Sequence, residues 1–143
     1  MQHDAARCHR LFVYGTLRRG MALHAHLAQL GAVFEAEGRV RGELFDLGRY
    51  PGARPVEGEG NWVTGELFRL RQPEHDLRKL DEVEGFDPRA PERSEFVRAL
   101  VDVTLSSGTL CRAWIYWLGP NAGGSRRIAG WDYAAWLARR EPV

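Results

Sequence analysis

Apolar residues along the chain gather in short runs and alternating stretches. The first run is Leu11-Phe12-Val13-Tyr14, cut by Gly15. A continuous apolar run of this length predicts a strand buried on both faces. Between Ala22 and Leu30, Leu23, Leu27 and Leu30 fall at helical spacing ahead of Gly31, which predicts a first helix. From Ala32 to Leu47 the alternation is uneven around Gly38 and Gly42, so one long bent strand or two short ones are expected. The glycine- and proline-rich stretch from Gly48 to Gly60 predicts a loop without a strand. Trp62 to Leu70 reads as a strand kinked at Gly65. Pro73 to Glu84 reads as a helix, opened by proline in its favoured first turn and closed by Gly85, with Glu74 and Asp76 at its positive end. A polar loop from Phe86 to Arg93 leads to two strands, Phe96 to Leu105 and Leu110 to Leu118, joined as a hairpin around Ser106-Ser107-Gly108-Thr109. Asn121 to Gly130 is irregular, and Trp131 to Arg139 predicts a short terminal helix. Few helices and consecutive strands argue for an α+β fold with a curled or barrel-like mixed sheet rather than a doubly wound one.

The 143 residues, 44% hydrophobic and 27% charged, fit one domain over residues 1–143 with a polar lead over residues 1–10. Twenty basic residues, all arginine except Lys79, face 19 acidic ones, and the net charge of +1 leaves no pole to grip a nucleic acid. No apolar run approaches the ~18 residues of a membrane span, so a soluble chain with no membrane partner is expected. Cys8 and Cys111 lack a CxxC partner, which favours a reducing cytoplasm. His24 and His26 diverge on a helix and no HExxH occurs, so neither metal nor cofactor is expected. Ser94, Ser106, Ser107 and Ser125 lie outside any GxSxG, and no histidine neighbours either cysteine in a way that would activate it.

Two features carry candidate chemistry. On the helix Pro73 to Glu84 the spacing i, i+3, i+7 puts Glu84 on the apolar face of Leu77 and Leu80, while Glu82 falls off it. A carboxyl aimed inward has its pKa raised toward neutrality, as a general acid/base requires. Pairing with an arginine, or escape to water past Gly85, are the alternatives. The second feature is Tyr14-Gly15-Thr16-Leu17-Arg18-Arg19-Gly20, a turn between a strand and a helix whose backbone N–H groups can converge on an anion. It is not a nucleotide phosphate loop, since Met21 and Ala22 stand where lysine and Ser/Thr are needed. Asp81, four residues after Leu77, is a pocket-wall or capping candidate, and Tyr116 in Ala113-Trp114-Ile115-Tyr116-Trp117 is a pocket candidate.

Taken together, Val13-Tyr14-Gly15-Thr16-Leu17-Arg18-Arg19-Gly20, Gly48-Arg49-Tyr50-Pro51-Gly52, Val63-Thr64-Gly65-Glu66-Leu67-Phe68, Leu80-Asp81-Glu82-Val83-Glu84-Gly85, Arg98 and Ala113-Trp114-Ile115-Tyr116 resemble the gamma-glutamylcyclotransferase-like family, especially its gamma-glutamylamine cyclotransferase branch. The resemblance implies a compact mixed β-barrel with flanking helices and a cavity between the YGTL turn and the glutamate of LDxxEG. It implies Tyr14, Gly15, Thr16 and Leu17 as the substrate loop and Glu84 as the catalytic acid/base, and the matched Arg98 joins Asp81 and Tyr116 as a pocket candidate. The implied reaction is release of 5-oxoproline from a γ-glutamyl amide by attack of the substrate's own α-amine. The partner is then a small γ-glutamyl molecule whose leaving amine, like the oligomeric state, the sequence leaves open. Phe96 stands where the family often has tyrosine, and Gly130-Trp131-Asp132 replaces its usual Gly-Asp-Trp. The alternative is a non-catalytic binder of small anionic metabolites.

Overall fold

A computed structural model describes residues 8–58, 60–122 and 126–140. The strands are β1 (Arg10–Val13), β2 (Val33–Arg41), β3 (Glu43–Asp46), β4 (Pro51–Arg54), β5 (Trp62–Arg69), β6 (Phe96–Leu105), β7 (Leu110–Leu118) and β8 (Arg126–Arg127). The helices are α1 (His24–Gln29), α2 (Pro73–Glu84) and α3 (Tyr133–Arg140), with a short 3-10 turn at Pro91–Arg93. β1, β5, β2, β6 and β7 close into a barrel in that order, and β4, β3 and β8 form a separate small sheet. The barrel is antiparallel except at its seam, where β1 runs parallel to β7 with Leu11 opposite Trp114. The α+β barrel with flanking helices is therefore the fold of this chain.

Period-2 geometry divides the core in two. Phe12 and Tyr14 of the first strand region join Val63, Leu67, Val103, Ala113, Ile115 and Trp117 in one buried cluster. Their alternates Leu11 and Val13 join Leu17, Leu27, Phe68, Leu77, Leu80, Tyr116 and Leu118 in the second, between the barrel wall and α1 and α2. β1 is thus covered on both faces, which is why its sequence runs apolar without a break.

Closure of the barrel depends on a position without a side chain. A Cβ at Gly65 would collide with the Val13 carbonyl oxygen and with the Phe12 ring, whose Cε2 would lie 2.9 Å away. The kink expected at Gly65 is this close crossing of β5 over β1.

Several expectations need correction. The stretch Gly48 to Gly60 does contain a strand: β4 pairs antiparallel with β3, Leu44 opposite Ala53 and Asp46 opposite Pro51. Pro51 is tolerated because it starts an edge strand, where its missing N–H costs no ladder bond. Of the two readings for Ala32 to Leu47, two strands hold, and they enter different sheets on either side of Gly42, whose N–H donates to Asn61 O at 3.1 Å. The first helix is shorter than Ala22 to Leu30, because Leu23 N donates back to Thr16 O (2.8 Å) in a turn rather than into a helical ladder. The terminal helix starts at Tyr133 rather than Trp131, because Asp132 caps it: its Oδ1 accepts from Ala135 N at 3.1 Å. Within Asn121 to Gly130, β8 pairs with β3, while residues 123–125, Ser125 among them, lie outside the described residues. Most of the polar lead also lies outside them, but its last residue, Arg10, opens β1, and His9 O accepts from Leu70 N at 2.6 Å.

Gly65→Ala is expected to lower unfolding free energy by about 1–3 kcal/mol, the usual range for overpacking a filled core. Urea denaturation checks this, with the midpoint moving to lower urea.

Candidate functional site

The helix that carries Glu84 is fixed at both ends by local chemistry. Pro73 occupies its first turn and Asp76 Oδ2 reaches back to accept from Gln72 N at 2.9 Å, satisfying a donor the helix itself cannot. Gly85 ends it in the left-handed region at φ 69°, and Phe86 N folds back onto Asp81 O at 2.9 Å. The inner face comprises Leu77, Leu80 and Asp81, all buried, with Glu84 one turn on, whereas Glu82 is exposed. Glu84 is half-buried, and it lines a cavity of about 80 Å³.

The same cavity is lined by the turn after β1: Tyr14, Gly15, Thr16 and Leu17. The turn is held from several sides. Tyr14 Oη donates to Tyr116 O (2.7 Å) and accepts from Ala53 N (3.1 Å), joining the barrel to the small sheet. Glu66, 4% exposed, accepts from Arg19 N at 2.9 Å and from Arg19 Nε at 3.2 Å. Arg18 Nη1 binds Asp132 Oδ1 at 2.9 Å, so the Gly130-Trp131-Asp132 segment anchors the turn from the outside. A Cβ at Gly15 would lie 2.6 Å from Pro51 Cγ, so only glycine lets the turn pack on β4. Among the described residues, the N–H groups of Gly15, Thr16 and Leu17 donate to no other group of the chain.

The arginine alternative for Glu84 is not realised, since no ion pair among the described residues includes it. Arg98 is instead forked onto Asp81, Nε to Oδ1 at 2.8 Å and Nη2 to Oδ2 at 3.2 Å. Asp81 Oδ1 also accepts from Tyr116 Oη at 2.7 Å. Of the three further pocket candidates, only Tyr116 reaches the cavity; Asp81 and Arg98 stand behind it and orient its ring. Burial is the main reason Glu84 is pushed up from 4.5 to about 7, and the nearby Glu95 carboxylate adds to it. Burial also drives Tyr14 and Tyr116 well above the ordinary phenol value, so both stay protonated donors.

Sequence reasoning missed two polar lining residues as site residues, Tyr50 and Glu95, along with Phe96. Tyr50 Oη donates to Glu95 Oε2, and the two rings of Tyr50 and Phe96 lie 6.0 Å apart. Tyr50 stands in the Gly48–Gly52 segment already singled out, which was a usable signal. Glu95 gave none, since a lone glutamate before a strand reads as a solvated charge. No group of three His, Cys, Asp or Glu side chains among the described residues could hold a metal ion.

A sequence profile described as "Gamma-glutamyl cyclotransferase, AIG2-like" matches residues 11–135. The chain belongs to that family. It is 32% identical to the Escherichia coli gamma-glutamylcyclotransferase family protein YtfP over 132 residues, 91% of this chain and 97% of that one. It is 30% identical to the gamma-L-glutamyl-butirosin B gamma-glutamyl cyclotransferase of Niallia circulans over 122 residues, 85% of this chain and 74% of that one. A Vibrio cholerae relative is 41% identical over 76 residues, 53% of this chain, which span 62% of that relative's length. Among solved structures, an AIG2-like protein of Mus musculus superposes with a TM-score of 0.66 at 25% identity, covering 86% of this chain and 87% of that one. Bacillus subtilis YkqA superposes with a TM-score of 0.65 at 25% identity over 92% of this chain, which spans 42% of YkqA.

Because Glu84 binds its proton more tightly folded than unfolded, it favours the folded state fully below about pH 4.5, and that contribution disappears as pH rises through about 7. Replacing it with glutamine removes this dependence. Thermal melts at pH 5 and pH 8 are expected to show Glu84→Gln gaining in midpoint relative to the parent at pH 8 and little at pH 5.

Proposed function

We propose that this family member releases 5-oxoproline from a γ-glutamyl amide, with Glu84 as the proton carrier and the turn of Tyr14, Gly15, Thr16 and Leu17 as the substrate loop. The observation that carries the reading is a carboxyl lifted to about 7 with no cationic partner among the described residues, in one cavity with that turn. Among the described residues no serine or cysteine nucleophile lines the cavity, and this reaction needs none.

The substrate brings its own nucleophile. Its α-amine nitrogen attacks the γ-carbonyl carbon, and the new C–N bond closes a five-membered ring, so intramolecular proximity supplies much of the rate. Glu84 takes the proton that the attacking nitrogen sheds. The bond from the same carbon to the leaving nitrogen then breaks, and Glu84 returns the proton to that nitrogen. The products are 5-oxoproline and a free amine, with no water consumed and no change of oxidation state. A carboxyl with its pKa near 7 suits both directions of this transfer. The unoccupied N–H groups of Gly15, Thr16 and Leu17 receive the negative end of the substrate, carboxylate or oxyanion. Tyr116, locked by Asp81 and Arg98, is a rigid wall of the same space, and the Tyr14 hydroxyl fixes where the turn begins.

The alternative of a binder for anionic metabolites fits less well. Two carboxylates and no arginine or lysine line the cavity among the described residues, which disfavours a net negative guest.

Glu84→Gln is expected to cut 5-oxoproline release by about two to four orders of magnitude, the usual weight of a general acid/base, while near- and far-UV circular dichroism stay those of the parent. Glu82→Gln, on the exposed side of the same turn, should stay within about twofold. Direct quantification of 5-oxoproline from γ-glutamyl amides separates the two, and full activity in Glu84→Gln rules the mechanism out.

A further inference from the structure

Beside the cavity lies a second, outer groove of about 310 Å³, bordered by Leu47, Arg93, Asn121 and Ala122. Tyr50 and Glu95 belong to both spaces. Their mutual hydrogen bond stands at the boundary between the two. With the γ-glutamyl half held against the Gly15 turn, Glu95 is a charged lining side chain left for the amine half to meet.

The backbone fixes Glu95 at this junction. Its N–H donates to Gly85 O (3.2 Å), which ties it to the end of α2 beside Glu84, and its carbonyl accepts from Gly119 N (2.7 Å) at the end of β7. The side chain is aimed by Tyr50, whose hydroxyl occupies Oε2. That bond, with burial adding to it, pushes Tyr50 up to about 12, so the phenol remains a donor at neutral pH. Glu95 forms no ion pair with Arg93 across the groove or with any other described residue, and it is exposed. An ionised carboxylate only accepts, and one tyrosine hydroxyl leaves most of its lone-pair sites open.

We propose that Glu95, held by Tyr50, is a specificity-determining residue of this site: its carboxylate receives an ammonium group carried by the leaving amine. The inference rests on the cyclisation reading above. Glu95 cannot serve the reacting α-amine well, because an unshared carboxylate there would hold that nitrogen protonated and unreactive. An ammonium farther along the leaving half meets no such conflict. A leaving group with an anion at this point would face Glu95 and Glu84 together, and a neutral alkyl one would gain nothing from either.

The test compares two substrates that differ at one end: the γ-glutamyl amide of a five-carbon diamine, and γ-glutamyl hexylamide, in which a methyl group replaces the ammonium. In the parent protein the diamine amide is expected to have about tenfold higher kcat/KM, the scale of one partly solvated charge-assisted bond. Added salt should shrink that preference. In Glu95→Gln the ratio should fall to about one, and in Tyr50→Phe to an intermediate value. Taking the ratio cancels any effect of either substitution on Glu84, since both substrates share the reacting centre. A parent ratio near one, or a preference that survives Glu95→Gln, overturns the proposal. Kd values for both amides in Glu84→Gln, with and without Glu95→Gln, give the same comparison without turnover. If neither amide yields 5-oxoproline in the parent protein, the cyclisation reading falls, and the Kd ratio still decides the place of Glu95.

Discussion

A carboxyl group largely withdrawn from water, with no cation among the described residues to meet it, is costly to ionise, and in the proposed function this cost at Glu84 decides what the site can do. An arginine beside it would have fixed it as a permanent anion, good for structure and useless for carrying protons. The nearby arginine is committed elsewhere, forked onto Asp81, and Asp81 in turn holds Tyr116. Two acids one turn apart on α2 thus have opposite fates. Asp81 is saturated with donors and belongs to the framework, and Glu84 faces the cavity.

The barrel is what makes that separation durable. With β1 buried on both faces, its last residues are carried rigidly into the turn, and the turn is then tied to the small sheet through Tyr14, to β5 through Glu66 and to the terminal helix through Asp132. A loop of this sort, flexible by composition, becomes a fixed wall. Its backbone amides are oriented before any ligand arrives, which is the condition under which such donors are effective.

Much of this was legible in the sequence where the cause is local. Pro73 and Gly85 mark the ends of α2 because one presets the first turn and the other accepts the left-handed conformation, and both bounds are those expected. The hairpin of β6 and β7 was equally plain, set by the turn at Ser106 to Thr109. β4 was not legible, because Pro51 and Gly52 argue locally against a strand and only pairing with β3 makes one. The inward direction of Glu84 followed from helical spacing, yet its lack of an ion pair among the described residues did not, since nothing in the order of residues says which acid Arg98 will choose. Glu95 was invisible for a similar reason: it reaches the cavity through contacts with Gly85, Gly119 and Tyr50 that lie 10, 24 and 45 residues away.

The hydroxyl of Tyr14 bonds to the carbonyl of Tyr116, 102 residues later. During synthesis from the N-terminus, the first wall of the cavity emerges long before the strand that seats it. Until β7 has left the ribosome the barrel has no seam, β1 has no parallel neighbour, and the turn has no fixed position. The pocket is therefore among the last features of the domain to form, and a nascent chain carries both Glu84 and the glycine turn for some time as unconnected pieces.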